Sequence, residues 1–263
     1  MPEGHTLHRL ARDRQAQFAG QPIAVTSPQG RFTAADLVDG RVLDDVTAYG
    51  KHFFAAFGDR IVHVHLGLFG RFTAGEGQPP VPQGAIRMRW IAATGWSDLR
   101  GPTACDVLSP SEVDAILARL GPDPLRRRPD GEPAYARIAR SRAPIGGLLM
   151  DQAVVAGVGN VYRAEILFRH RVDPYLPGRD LDESRWAPLW SDLVTLMRAG
   201  LRSGRIITTR PPDRARAAGR VAGSDAHYVY RRAGQPCRVC ATPVAMRVLG
   251  GRKLYWCPVC QDG

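Results

Sequence analysis

Two stretches of the 263-residue chain place residue types where they could do chemistry. The first is Met1-Pro2-Glu3-Gly4. Removal of the initiator ahead of a small residue such as proline would leave a secondary amine followed at once by a carboxylate. A terminal amine titrates near ~8 against ~10.4 for lysine, so a useful fraction is nucleophilic at neutral pH. Pro2 is thus a candidate nucleophile and Glu3 a candidate acid/base group. The plain alternative is a proline that merely follows the start codon.

The second stretch is Cys237-x2-Cys240-x16-Cys257-x2-Cys260. Two thiolate pairs on tight turns can present four sulfurs tetrahedrally, which is the donor set of structural zinc, one ion per chain. With no open coordination position implied, the metal would stabilise a fold rather than carry out a reaction. Four cysteines crowded at one end do not resemble the disulfide framework of a secreted protein. Cys105 stands apart and reads as a buried small apolar residue. Between the pairs, Gly250-Gly251-Arg252-Lys253 reads as a hairpin turn. It would present Arg252 to a phosphate, or simply to water.

Three weaker patterns lie upstream. Asp151-Gln152-Ala153-Val154-Val155-Ala156-Gly157-Val158-Gly159-Asn160 leads from one short helix into another that Asn160 would cap. Free N–H groups at such a helix start suit a phosphodiester oxygen, and the whole reads as a helix-two-turn-helix clamp. Tyr49-Gly50-Lys51-His52 is a turn that would put Lys51 at its tip. In His65-Leu66-Gly67-Leu68-Phe69-Gly70, apolarity alone reads Leu68 and Phe69 as core; exposed, they would suit wedging between base pairs. His63 and His65 share a strand face and read as structural rather than metal-binding.

The elements that must hold these groups follow from periodicity. A helix from Thr6 to about Phe18 is followed by short strands at Ile23-Ala24-Val25, Arg41 to Thr47, His52 to Phe57, Ile61 to Leu66 and Ile86 to Ala92. That spacing predicts an antiparallel sandwich or barrel. Ser109-Pro110-Ser111-Glu112 is a capping box that opens a helix to about Leu120. Helices follow at Ala134 to Ser141, Gly147 to Gln152, Asn160 to Phe168 and Trp186 to about Leu201, with Trp186 and Trp190 on a core stripe. Pro211 to Ser224 lacks periodicity and reads as a mobile loop. The expected class is α+β: an N-terminal helix plus antiparallel β-sandwich over 1–120, a proline-rich linker over 121–133, a helix-two-turn-helix domain over 134–226 and a zinc finger over 227–263.

With 36 Lys+Arg against 25 Asp+Glu, the charge of +11 points to a polyanionic partner. Only Lys51 and Lys253 are lysines. Where generic charge is written as arginine, a lysine can do what arginine cannot, such as giving up a proton. The chain has no apolar run of spanning length and no signal region, so a soluble intracellular protein with no membrane partner is expected.

Taken together and in order, MPEG, YGKH, DQAVVAGVGNVYRAE and the final CxxC…GRKLYWCPVCQ resemble the formamidopyrimidine-DNA glycosylase/endonuclease VIII family over the whole chain. The resemblance implies a monomeric base-excision repair enzyme of the bacterial cytoplasm, acting on damaged double-stranded DNA held between its two domains. Pro2 would attack C1′ of the damaged nucleotide and displace the base. Glu3 would assist opening of the sugar ring, and Lys51 would contact phosphate and donate a proton. Asn160 and Arg252 would grip phosphates around the lesion, with DNA also met by Leu68, Phe69 and Arg100. Gly67-Leu68-Phe69 in the wedge position and Arg252 to Gln261 resemble the endonuclease VIII branch, which implies oxidised pyrimidines as substrates.

His5 and Thr6 depart from the family's usual Pro and Glu, and Gly146-Gly147 stands where purine-specific members carry a lysine. Gly67 replaces the branch's polar wedge residue, which puts discrimination of the opposite base in doubt. A non-catalytic DNA-binding protein of the same fold would explain the clamp and finger but has no use for a terminal secondary amine. A ribosomal or transcription-associated zinc ribbon would explain the cysteines and charge but not the N-terminus.

Overall fold

The computed structural model describes residues 2–217 and 219–262. Met1, on whose removal the Pro2 reading depends, and Ala218, within the 211–224 segment, lie outside the described residues. The chain divides into two compact units, one ending at Arg119 and the other beginning at Leu120.

The first unit opens with helix α1 (Gly4–Phe18) and continues through eight strands: β1 (Ala24–Thr26), β2 (Asp45–Tyr49), β3 (His52–Phe57), β4 (Arg60–His65), β5 (Arg71–Gly75), β6 (Ile86–Ala92), β7 (Gly95–Arg100) and β8 (Ala104–Leu108). They form two four-stranded antiparallel sheets, ordered β1-β6-β7-β5 and β2-β3-β4-β8. One apolar core joins Leu7, Ala11 and Phe18 of α1 to inward residues of both sheets, among them Phe53, Val64, Trp90 and Leu99. Polar contacts fix α1 to both sheets: Arg14 Nε donates to Ser97 Oγ on β7 at 2.9 Å, Gln17 Nε2 donates to Gly75 O on β5 at 3.2 Å, and Gln15 Oε1 accepts from the Val46 amide on β2 at 2.6 Å. Helix α2 (Pro110–Leu117) closes the unit, with both halves of its Ser109/Glu112 capping box formed.

Strands β3 and β6 fall where alternation placed them, whereas β5, β7 and β8 were not anticipated. The segment from Arg41 to Leu43, expected as strand, pairs instead with the chain from Gly20 to Ile23, and β2 begins at Asp45. Cys105 is buried as expected, and burial pushes its thiol up to about 12.

The second unit is helical, with α3 (Glu132–Ile138), α4 (Ile145–Leu148), α5 (Asn160–Arg169) and α6 (Glu183–Ser203), followed by a hairpin of β9 (Ala245–Leu249) and β10 (Arg252–Trp256). Trp186, Leu189, Trp190, Leu193 and Met197 of α6 pack with Tyr162, Ile166 and Leu167 of α5. The opposite side of α5, through Val161, Ala164 and Phe168, packs on Tyr228, Tyr255 and Cys257. Helix α5 therefore serves two cores, one helical and one belonging to the finger.

Residues 121–133 are not a free spacer. The Gly121 amide donates to Gln152 O at 2.8 Å, Trp186 Nε1 donates to Gly131 O at 3.2 Å, and Arg198 Nη2 donates to Arg126 O at 3.2 Å. The stretch turns at Asp123, whose carbonyl accepts from the Arg126 amide at 3.2 Å, and the carbonyls of Arg126 and Gly131 are taken up by side chains of α6. No described helix is long and apolar enough to cross a membrane.

Candidate active site and nucleic-acid interface

Pro2 lies one residue before the N-cap of α1, and Glu3 is that N-cap residue, fully buried at 0% exposure. The Thr6 amide closes the first turn on Glu3 O at 2.8 Å. His5 and Thr6, the two departures from the family pattern, contact each other through Nε2 and Oγ1 at 3.3 Å. Burial holds the His5 imidazole down at about 4, so it sits neutral in α1 at physiological pH.

Lys51 lies in the two-residue turn between β2 and β3, closed by the pairing of Tyr49 with His52. It is half-buried rather than fully extended into solvent. Beside it is a feature that sequence reading missed: His52 joins His63 and His65 in one imidazole cluster. His52 Nδ1 and His63 Nε2 lie 2.9 Å apart with stacked rings, and the His65 ring centroid is 5.2 Å from that of His52. Burial, reinforced by the neighbouring imidazoles, holds His52 at about 3, and burial also lowers His63 and His65. The Lys51 charge is near enough to His52 and His65 to add to the lowering of both. The register of β3 on β4, which brings His52 opposite His65, was the missing information.

The Leu66–Gly70 turn exposes both wedge candidates, Leu68 at 41% and Phe69 at 87%. Their reading as core from apolarity alone is overturned. Gly67 sits at φ +63, and a Cβ there would meet Thr103 Oγ1 at 1.9 Å. A larger residue at this position would push the turn off its support, which accounts locally for glycine where the branch has a polar side chain. Arg100 is half-committed to its own sheet: it donates to Thr73 Oγ1 at 2.9 Å and Asp98 Oδ2 at 3.1 Å.

In the second unit, Asn160 is the first residue of α5 and not its cap; the N-cap is Gly159. The Asn160 side chain instead turns to the finger, where Nδ2 donates to Lys253 O at 2.9 Å. Its Oδ1 accepts from the buried guanidinium of Arg163, which also donates to Gly146 O at 3.1 Å. Arg163 thus ties α4, α5 and the β9–β10 hairpin together. Arg252, the next residue before Lys253, opens β10 just after the Gly250–Gly251 turn and is exposed.

The two turns before α5 are organised by Gln152. Its Nε2 donates to Met150 O and Val158 O at 2.9 and 3.1 Å, and its Oε1 accepts from the Gly157 amide at 3.0 Å. Glu165, fully buried on α5, accepts from the Tyr228, Val229 and Tyr230 amides at 2.7, 2.8 and 2.8 Å. It also accepts from Thr208 Oγ1, so the chain on both sides of 211–224 is held at one carboxylate. Neither role was visible in the sequence, because both depend on main-chain groups brought in by folding.

The four finger sulfurs lie within 4.8 Å of one another, with Cys237–Cys260 at 3.9 Å and Cys240–Cys257 at 3.4 Å. Tetrahedral Zn–S bonds of about 2.3 Å require sulfurs roughly 3.8 Å apart, so the residues fit the ion. Amides of Val239 and Cys260 donate to Cys237 and Cys257 Sγ, which supports thiolate charge. Among the described residues this is the one cluster of metal-ligating side chains; the histidine group is not another.

The chain matches three family models: the formamidopyrimidine-DNA glycosylase N-terminal domain over 1–103, the formamidopyrimidine-DNA glycosylase H2TH domain over 120–211, and the zinc finger found in FPG and IleRS over 234–263. It is 52% identical to Endonuclease 8 1 of Mycobacterium tuberculosis, with 99% of this chain and 100% of that protein covered. It is 32% identical to the formamidopyrimidine-DNA glycosylase of Methylococcus capsulatus, covering 99% and 98%. Its fold matches the Lactococcus lactis Fpg in complex with abasic-site DNA at a TM-score of 0.83 and 19% identity, covering 99% and 100%.

These matches define the class, that of the zinc-finger, helix-two-turn-helix DNA repair glycosylases. The chain belongs to the formamidopyrimidine-DNA glycosylase/endonuclease VIII family, whose members are DNA glycosylases with AP lyase activity. Nothing in the comparisons favours a non-catalytic protein of the same fold.

Proposed function

We propose that this chain excises oxidised bases, chiefly pyrimidines, from damaged double-stranded DNA and then nicks the strand, with Pro2 as nucleophile once Met1 has been removed. The observation that carries the catalytic assignment is the placing of Glu3: a fully buried carboxylate directly after Pro2, at the start of a helix fixed to both sheets. The Pro2 amine attacks C1′ and the base leaves, yielding an iminium. As a C2′ proton leaves to solvent, its C–H electron pair flows into the iminium to give an enamine, which expels the 3′ phosphate, and a second elimination through the conjugated iminium expels the 5′ phosphate. Glu3 assists opening of the sugar ring. Lys51, in the turn beside the histidine cluster, meets a phosphate and supplies a proton.

Asn160 and Arg252 grip the lesion strand, and Leu68 and Phe69 fill the space that the extruded nucleotide vacates. Arg100, braced by Asp98, adds positive charge behind the wedge. Bound zinc supplies a cross-link and no chemistry to the sugar; the four cysteines would hold it so that Arg252 keeps its place. The protein would act as a monomer in the bacterial cytoplasm, on the DNA of the nucleoid.

Support for pyrimidine preference comes from the 52% identity to proteins named Endonuclease 8 1, against 32% to a formamidopyrimidine-DNA glycosylase, and from Gly146-Gly147 in place of a lysine. Single-turnover excision on matched duplexes tests it. The expected result is faster release of an oxidised pyrimidine than of an oxidised purine by tenfold or more; the reverse order would overturn the preference.

A further inference from the structure

An open trench of about 680 Å³ runs along the outer face of the β1-β6-β7-β5 sheet, with Phe69, Arg71, Thr73, Gln83, Trp96 and Arg100 in its walls. The strand register explains its shape. Arg71 pairs with Arg100, Thr73 with Asp98 and Gly75 with Trp96, and alternate residues share a face. The trench therefore follows about 13 Å of strand, from the wedge residue at one end to an indole at the other.

That indole has a built seat. A Cβ at Gly75 would lie 2.9 Å from Trp96 Nε1 and 3.0 Å from two further ring atoms, so the ring lies across the glycine backbone. Trp96 is nonetheless half-exposed. One side rests on Gly75 and another opens into the trench, in contrast to Trp90, which packs wholly inside the core. Asp98, fully buried beneath Arg100 and not itself lining the trench, is neutralised by two bonds from Arg89 at 2.7 and 2.9 Å and one from Arg100. With Arg71 exposed on the wall, the trench is left cationic.

A cationic channel ending in a flat aromatic platform is the arrangement that holds a nucleic-acid strand, with phosphates on the cations and a base on the ring. We infer that this trench takes the undamaged strand opposite the lesion, stacking one of its bases on Trp96 and placing a phosphate at Arg71. The inference rests on the proposed glycosylase reading in one respect. If Phe69 fills the vacated space, its ring faces the orphaned partner base, and the trench leads away from there. Lys51, Asn160 and Arg252, which would grip the lesion strand, are not in its walls. Stacking tolerates any base, so the subsite would add affinity for duplex without adding sequence preference.

The test compares binding of the zinc-loaded full chain to a duplex carrying an uncleavable abasic analogue and to the same lesion strand alone, by fluorescence anisotropy. For Trp96→Leu and Arg71→Gln, duplex affinity is expected to fall about tenfold while single-strand affinity stays at the wild-type value. Arg71→Gln should also lower the salt slope of duplex binding by about one, and Trp96→Phe, which keeps a ring, should retain most of the affinity. Unchanged duplex affinity, or equal losses on duplex and single strand, would overturn the inference. Borohydride trapping of the wild-type chain on the single strand reads the catalytic assignment separately, so failure of either reading is told apart from failure of the other.

Discussion

The Asn160 side-chain amide donates to the main-chain carbonyl of Lys253 across 2.9 Å, joining the start of α5 to the finger hairpin one residue after Arg252. Two residues expected to grip phosphate 92 positions apart in sequence are thereby held on one rigid junction. Their substitutions should nonetheless behave differently. Asn160→Ala removes that bond and takes an acceptor from the buried Arg163 guanidinium, at a cost of about 1–3 kcal/mol and a melting point lower by roughly 3–10 °C. Arg252→Gln alters an exposed side chain, so melting should be unchanged while DNA affinity falls about tenfold. Equal melting losses in the two variants would contradict this division, and parallel calorimetry and anisotropy would show it.

Much of the site was legible because it is local. The four cysteines announced their cluster through spacing, and the Ser109/Glu112 box announced α2. Long-range partners were not legible. Strand β7 carries a buried Asp98 whose charge is answered by Arg89 on β6, so its pattern looks too polar for a strand. Strand β5 lies at a sheet edge with exposed residues and offers no apolar alternation. Asn160 looked like a cap because its partner at Lys253 could only be seen once the hairpin had folded against α5.

Glu165→Ala should be among the most destabilising changes in the second unit. It leaves the Tyr228, Val229 and Tyr230 amides without their buried acceptor, at a cost of about 3–5 kcal/mol. Glu165→Gln keeps one acceptor oxygen and should lose less. Urea denaturation of the zinc-loaded chain reads the difference; wild-type stability in the alanine variant would contradict the clamp.

The buried histidines should make the first unit acid-labile. Their folded-state values lie below the ordinary 6.5, at about 4 for His5 and about 3 for His52, so the unfolded chain takes up more protons as pH falls below 6.5. Stability is therefore fully present above 6.5 and declines as pH falls toward 4, with His5 alone accounting for on the order of 3 kcal/mol. Thermal melting from pH 7.5 to 5 should fall steadily, and His52→Gln should flatten the slope.

Removal of zinc should abolish strand nicking, because the β9–β10 hairpin that carries Arg252 is held by the cysteine cluster at its base. Chelation followed by metal analysis and a nicking assay would check this. Full activity in a verified zinc-free sample would contradict a structural role for the ion.

The central claim is that the Pro2 nitrogen forms the covalent link to DNA, and borohydride trapping on a duplex with an abasic site tests it most directly. Reduction should yield a stable adduct whose peptide map places the sugar on Pro2, and the adduct should vanish in Pro2→Gly and in chain that retains Met1. An adduct mapped to Lys51, or one that persists when Met1 blocks the Pro2 nitrogen, would contradict the account.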